Sequence, residues 1–465
     1  MLGSLGLAYS VGCSDPAPDS AGSTGGTTWD AAFSSGQGSS GSGSESSTGL
    51  ADAEATDSQG CDAPCPSGSS CVEGACVEPD CGAPCCEDGR PCVDECTVSE
   101  DCEGGTCEAR DGVLRCTTPR DLPWCDAGPA LARRVQIPLP AEVAKELAVA
   151  DVLPNAGEEL FVVGFESSQL YFDAGTERIS GPTTDERGSE AAFGVDLGDG
   201  EIGFAVLRGF SREAVVVRVE TDALSVGPSH FVDMFLGVSA DFDADGRDDL
   251  FGGSLGYQTV AFGDGTEFSV APPIDLVAGS WSAAQYDDQP GADVVLHGED
   301  GPSRLVVGIG GRPTSVVLGG GASERRDLAT GDFDGDGDAD VLGLSRSSQL
   351  EFVVLYPWRN EAGQGPTYIA PARAPNVPGP PPVRHWTTVG DFDGDGADDV
   401  AIGGLAGVKL LFGDPTGAGL LRCHASVPTL HSATTLVAGD FDGDGFDDVA
   451  YAGVVDELAL LLHAR

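Results

Sequence analysis

One acidic motif recurs along the chain, and its residues have the makings of a cation site. GDFDGDGDADV at 331–341, GDFDGDGADDV at 390–400 and GDFDGDGFDDV at 439–449 are nearly identical, and ADFDADGRDDL at 240–250 differs little. The pattern D-x-D-x-D-G-x-x-D sets carboxylates at alternate positions of a tight turn, which suits a flexible cage of about six to eight hard oxygen ligands. Glycine at the sixth position permits the sharp turn. The side-chain ligands expected are Asp241, Asp243, Asp245 and Asp249; Asp332, Asp334, Asp336 and Asp340; Asp391, Asp393, Asp395 and Asp399; and Asp440, Asp442, Asp444 and Asp448. The backbone carbonyls of Arg247, Asp338, Ala397 and Phe446 would add one ligand to each set.

Four carboxylates against one dication leave each loop negative, so an empty loop should repel itself and loosen. Magnesium demands a stricter octahedron and keeps its waters, so the expected cofactor is Ca2+, at about four sites. An EF-hand loop would need Glu at its twelfth position, where this chain has Gly252, Gly343, Ile402 or Tyr451, residues of the strand that follows. Asp-rich turns can also cap strands without metal, but four intact copies weigh against that reading.

Weaker copies precede the strong ones. QYDDQPGADVV begins at Gln285, DLGDGEIGFAV at Asp196 and DVLPNAGEELFVV at Asp151, each leading into an apolar run. Gln285, Asp287, Gln289 and Asp293 could hold a weak ion, whereas the loops at Asp151 and Asp196 lack most of the oxygens required. The first motif positions, Asp151, Asp196, Asp241, Gln285, Asp332, Asp391 and Asp440, are separated by 45, 45, 44, 47, 59 and 49 residues. Seven repeats of that length predict the seven four-stranded blades of a β-propeller over residues 130–465. Short β-prone runs such as FVVGF, AVVVRVE, RLVVGIG and VKLLFG agree, and the segment Ala141 to Ala150 is the one stretch with helical periodicity. After Asp448 the chain leaves the last blade one strand short. RRVQIPLP at 133–140 is expected to supply that strand and cover the exposed edge.

This set of repeats resembles the FG-GAP or VCBS family, the propeller repeats of integrin α-subunit heads. FGDGTEF at 262–268 and LFGDPTGAG at 411–419 are similar to that family's glycine-rich turn. The resemblance covers about 330 residues, with the motif specific in four blades. It implies structural calcium in an Asp-rich loop between the first strands of several blades, and a ligand-binding propeller face that is often adhesive.

The rest of the chain suggests how such a propeller would be displayed. MLGSLGLAYSVGC, residues 1–13, resembles the end of a bacterial lipoprotein signal with Cys13 as the lipidated residue, although Ser10 stands where Leu is usual and no Lys or Arg precedes Arg90. Residues 14–60 are almost wholly small and polar, the composition of a disordered tether. Thirteen of the 15 cysteines fall within 61–125, where the spacing C-x3-C-x5-C-x4-C occurs at Cys61, Cys65, Cys71 and Cys76 and again at Cys92, Cys96, Cys102 and Cys107. Two small disulfide-stapled units in an oxidising compartment are expected, with pairing order open; the absence of histidine and of C-x2-C pairs argues against zinc. The odd count leaves a cysteine to pair elsewhere, with Cys423 as a candidate, or to stay a thiol.

The net charge of −51, with Lys145 and Lys409 the only lysines, repels nucleic acid and anionic lipid, so a membrane would be reached through the lipid anchor alone. No G-x-S-x-G elbow, H-E-x-x-H or P-loop occurs, and His230, His297, His385, His424, His431 and His463 are scattered singly. The expected whole is an all-β, monomeric, extracytoplasmic protein, either an outer-membrane or cell-surface lipoprotein or a secreted one. It would be non-enzymatic and present a propeller face to an extracellular protein or glycan. The alternative is an extracellular polysaccharide hydrolase or lyase built on the same body.

Overall fold

The computed structural model describes four short strands within residues 70–117 and most of residues 120–463, several connecting segments excepted. The chain divides into two compact units, Met1–Asp80 and Cys81–Arg465. In the first, Ser70–Val72 pairs with Ala75–Val77 and sets Cys71 opposite Cys76. In the second, Thr106–Arg110 pairs with Val113–Thr117 and sets Cys107 opposite Cys116. Cys13, the tether at 14–60 and most of the cysteine-rich segment lie outside the described residues.

The second unit also holds the seven-bladed propeller, whose strands lie within residues 131–463, and no helix occurs among the described residues. Blade 1 holds Ala144–Ala150, Glu159–Gly164, Ser168–Phe172 and Ile179–Thr184; blade 2 holds Ala191–Gly198, Glu201–Arg208, Glu213–Glu220 and Ala223–Phe231. Blade 3 holds Leu236–Ala240, Asp249–Ser254, Tyr257–Gly263 and Phe268–Val270; blade 4 holds Ser280–Ala284, Asp293–His297, Ser303–Val307 and Thr314–Val317. Blade 5 holds Arg326–Gly331, Asp340–Ser345, Phe352–Arg359 and Ala372–Pro375, and blade 6 holds Thr387–Gly390, Asp399–Gly404, Gly407–Gly413 and Leu421–Pro428. Blade 7 takes Ala433–Gly439, Asp448–Gly453 and Leu458–His463 from the C-terminal end of the chain, and its outermost strand is Leu131–Ile137. The closing strand is therefore the one the sequence predicts, shifted by two or three residues. First strands touch their neighbours all round, the seventh reaching the first, so the ring is closed.

Seven apolar clusters fill the seven gaps between blades. Second strands such as Asp340–Ser345, Asp399–Gly404 and Asp448–Gly453 are buried along their whole length, because each blade face packs on a neighbour. The same demand overturns the helical periodicity at Ala141 to Ala150. Ala144–Ala150 is the first strand of blade 1, with Ala144 and Leu147 packed towards blade 7 and Ala148 and Ala150 towards blade 2. Two opposite faces claim its side chains, which a strand can serve and a helix of this length cannot.

Before the closing strand, residues 120–125 strap two blades together. Arg120–Asp121 runs parallel to Ala372–Pro375 at the edge of blade 5. Leu122 is buried in the cluster between blades 5 and 6, and Trp124 bridges to His424 on the edge of blade 6. A Cys125–Cys423 disulfide then fastens the strap to that blade. This is the outside pairing that the odd cysteine count allowed.

Candidate metal centres

Each intact acidic loop joins the first strand of its blade to the second, so the loops of blades 3, 5, 6 and 7 emerge at the same end of the ring. The leading aspartate organises each turn. Asp332 Oδ1 accepts the N–H of Asp336 at 3.0 Å and its Oδ2 that of Gly337 at 2.8 Å. Asp241, Asp391 and Asp440 repeat this with Asp245 and Gly246, Asp395 and Gly396, and Asp444 and Gly445. The fifth-position aspartate turns onto the N–H two residues on, as Asp336 does to Asp338 at 2.9 Å. The sixth-position glycines Gly246, Gly337, Gly396 and Gly445 lie at φ between 84° and 92°, as the sequence predicts. The fourth position is left-handed too, at Gly335, Gly394 and Gly443, and at Ala244 with φ 62°.

Two further positions anchor the loops. Phe242, Phe333, Phe392 and Phe441 are buried at 0–2% exposure and pin each turn to the core. The ninth-position aspartates tie the turn to the blade: Asp399 accepts the N–H of Phe392 at 3.0 Å and of Gly413 at 2.8 Å, and Asp249 and Asp448 do likewise. Burial raises these carboxyls, Asp249 and Asp448 to about 7 and Asp340 and Asp399 to about 8, with neighbouring aspartates adding to the rise. Desolvated carboxylates crowded together favour the neutral form unless positive charge is supplied.

The geometry gathers three carboxylates in each loop, with ligand-capable oxygens within 4.8 Å of one another. The sets are Asp241, Asp243 and Asp249; Asp332, Asp334 and Asp336; Asp391, Asp393 and Asp399; and Asp440, Asp442 and Asp448. Asp245, Asp340, Asp395 and Asp444 stand outside these triads. Asp245 pairs with Arg247 at 2.9 Å, Asp395 pairs with Arg422, Asp340 Oδ1 accepts the N–H of Asn360, and Asp444 Oδ1 that of Phe446. The seventh-position side chains have work of their own: Arg247 turns back on its loop, Asp338 accepts the N–H of Ala362, Ala397 is buried, and Phe446 stacks on His463 with centroids 4.2 Å apart.

The donor set fits a cation. Asp334 Oδ1, Asp340 Oδ2 and Asp393 Oδ1 are buried without a hydrogen-bond partner, and buried oxygens of this kind are costly unless something positive meets them. Arginines already approach from the side. Arg359 Nε lies 2.8 Å from Asp334 Oδ2, Arg422 pairs with both Asp393 and Asp395, and Arg133 of the closing strand lies 3.8 Å from Asp442. No spacing rule links these arginines to the motif, so they carry no signal in the sequence.

The eroded loops satisfy themselves in other ways. In blade 4 the Gln285 amide donates to the carbonyls of Asp287 and Gln289, placing a neutral donor inside the turn. In blade 2 the loop has shrunk to a tight hairpin, with Asp199 and Gly200 both at positive φ. In blade 1 Glu159 accepts the N–H groups of Val152 and Leu153, as the ninth-position aspartates do elsewhere.

A role that sequence reasoning missed belongs to the eighth position. Asp398 of blade 6 accepts the N–H of Asp332 in blade 5 at 2.8 Å, and its own N–H donates to the Asp332 carbonyl at 2.8 Å. Asp447 of blade 7 clasps Asp391 in the same way, Asp248 of blade 3 clasps Asp196, and Glu158 of blade 1 clasps Asp440 across the ring closure. Burial raises the carboxyls of all four. The clasps explain the glycine that opens three motifs. A Cβ on Gly331, Gly390 or Gly439 would lie 2.6, 2.6 or 2.3 Å from a carboxylate oxygen of Asp398, Asp447 or Glu158. Where the eighth residue is Ala292 or Ala339, the facing position is Ala240 or Ala284; blade 2, with buried Val195 before Asp196, departs from this rule. The available signal was this pairing of Gly with Asp or Glu, and of Ala with Ala, one repeat apart.

The model of the FG-GAP-like repeat matches residues 391–451, which span the loops and intervening strands of blades 6 and 7. Together with the seven-bladed ring, that match makes the folded body a β-propeller that carries FG-GAP-like repeats. No curated protein matches the chain. Among solved structures, one described as BBS1N in complex with ARL6DN, soaked with mercury, is similar at a TM-score of 0.51 and 10% identity, over 73% of this chain and 98% of that one. The same complex soaked with lead gives 0.49 and 12% identity, over 74% and 98%. The likeness is one of fold.

Proposed function

We propose that this chain is a cell-surface, calcium-binding propeller without enzymatic activity, which presents a propeller face to an extracellular protein or glycan. The observation that carries the metal reading is the four Asp triads at one end of the ring, two of which, in blades 5 and 6, hold a buried carboxylate oxygen without a donor at Asp334 and Asp393. Calcium bound there would supply the positive charge that the crowded carboxylates lack. The triads would hold it together with the carbonyls of Arg247, Asp338, Ala397 and Phe446. Asp243, Asp334, Asp393 and Asp442 then fix the outer half of each turn, while the leading and ninth aspartates tie it to the blade. The display reading rests on sequence: a lipoprotein-like signal ending at Cys13, a small, polar stretch at 14–60 and a cysteine-rich segment at 61–125 in front of the propeller.

Thermal melting with calcium and with chelator tests the metal. Calcium at about 100 times Kd stabilises by about 2.7 kcal/mol per site, so the melting temperature should rise with calcium and fall with chelator. No change in either arm rejects it. A glycan and protein-ligand screen run with and without chelator tests the display; calcium-dependent capture supports it, and polysaccharide turnover by the purified chain would replace it.

A further inference from the structure

We infer that the cation sites of blades 5, 6 and 7 fill as one linked set, coupled through Asp398 and Asp447, while the site of blade 3 fills independently. The inference rests on the calcium reading above and adds to it how the sites communicate. Asp399 is a triad member of the blade 6 loop, and the residue before it, Asp398, holds the backbone of Asp332, the leading ligand of the blade 5 loop. Asp448 and Asp447 stand in the same relation between the loops of blades 7 and 6. Ordering one loop around its ion therefore fixes the clasp that orders the leading ligand of the next. The loops also pack on each other. The Phe446 ring of the blade 7 loop fills the space where Gly394 of the blade 6 loop would carry a Cβ, and the Gly396 carbonyl lies 3.6 Å from the equivalent point on Gly335.

Blade 3 is linked to no other triad. Its loop packs on those of blades 2 and 4, with Arg247 against Gly198 and Phe242 against Gly291, and neither of those loops holds a triad. Its Asp248 clasps Asp196, which heads the hairpin-like loop of blade 2, and blade 4 faces Asp241 with Ala292, which offers only its N–H at 2.7 Å. Coupling of this kind is reciprocal and commonly changes affinity by about 5- to 150-fold.

Native mass spectrometry of the full chain during a calcium titration reads the proposal. The expected wild-type pattern is free, one-ion, three-ion and four-ion species, with the two-ion species depleted below what independent sites give. Asp398→Ala should release blade 5 from the set and restore the two-ion species. Alanine is native at this position in Ala292 and Ala339, so the fold should tolerate it. Should that variant fail to fold, Asp447→Ala serves the same purpose by separating blades 6 and 7. Asp248→Ala, whose clasp leads to no triad, should leave the pattern unchanged. Four ions populated as independent sites, or a pattern indifferent to Asp398→Ala, overturns the coupling while the calcium reading stands. A chain that takes up no calcium overturns both.

Discussion

Replacing Gly390 by alanine should be harmful because of one neighbouring carboxylate, and the harm should vanish when that carboxylate is removed. Gly390 does not lie at positive φ, so its backbone accepts alanine. Taken alone, the change should stabilise by about 0.4–1 kcal/mol through the unfolded state. The added Cβ, however, would sit 2.6 Å from Asp447 Oδ2 and 2.9 Å from Asp447 Cβ, closer than atoms tolerate. The clasp must open, and the bond from the Asp391 N–H to Asp447 Oδ2, now 2.9 Å, is lost. A hydrogen bond to a charged group contributes about 1.5–3 kcal/mol, so, less that gain, Gly390→Ala should cost about 0.5–2.5 kcal/mol. Asp447→Ala alone should cost about 2 kcal/mol for the same bond. The double variant recreates the Ala240 with Ala292 arrangement and should be no worse than Asp447→Ala, giving a coupling energy of about 2 kcal/mol. Urea unfolding of all four proteins in saturating calcium measures the cycle. Costs that simply add would refute the clasp as the reason for the glycine.

Three further outcomes are expected. Ala244→Gly should stabilise the blade 3 loop by about 1 kcal/mol in the same unfolding assay, because Ala244 holds φ 62° where the other intact loops have glycine. Cys423→Ser should remove the tie to Cys125 across 298 residues and lower stability by about 2–5 kcal/mol, seen in chemical denaturation with and without reductant; equal stability in all arms would show that the strap needs no disulfide. His424 is held down to about 4 by burial, with the Lys409 charge adding to the effect. A depressed value means that its contribution is full above about 6.5 and is lost as pH falls towards 4, by up to about 3 kcal/mol; comparing wild type with His424→Gln in saturating calcium should show the variant losing less over that window.

The fold was legible because a propeller repeats one sentence: the period runs through seven repeats, and the sixth-position glycine and the loop phenylalanine recur in four of them. Even the closing strand could be placed, since a blade short of one strand leaves an edge that some other segment must cover. Contacts between repeats were harder to see. Asp398 and Asp399 look alike in sequence, yet one clasps the preceding blade and the other stays with its own loop, a division set by the alternation of side chains along the strand start. Arg359 and Arg422 reach the triads from separate strands, with no fixed offset from the motif. Ala144–Ala150 has helical spacing but lies between two blades, and tertiary burial decided its conformation.

The most direct measurement is a crystal structure of the chain grown with calcium. Calcium binding as proposed puts ion density in four loops, bonded to Asp241, Asp332, Asp391 and Asp440 and their triad partners, with none in the loops headed by Asp151 and Asp196. Triads closed by Arg359, Arg422 and Arg133 with no ion in saturating calcium would contradict it, and would make these loops salt-bridged turns.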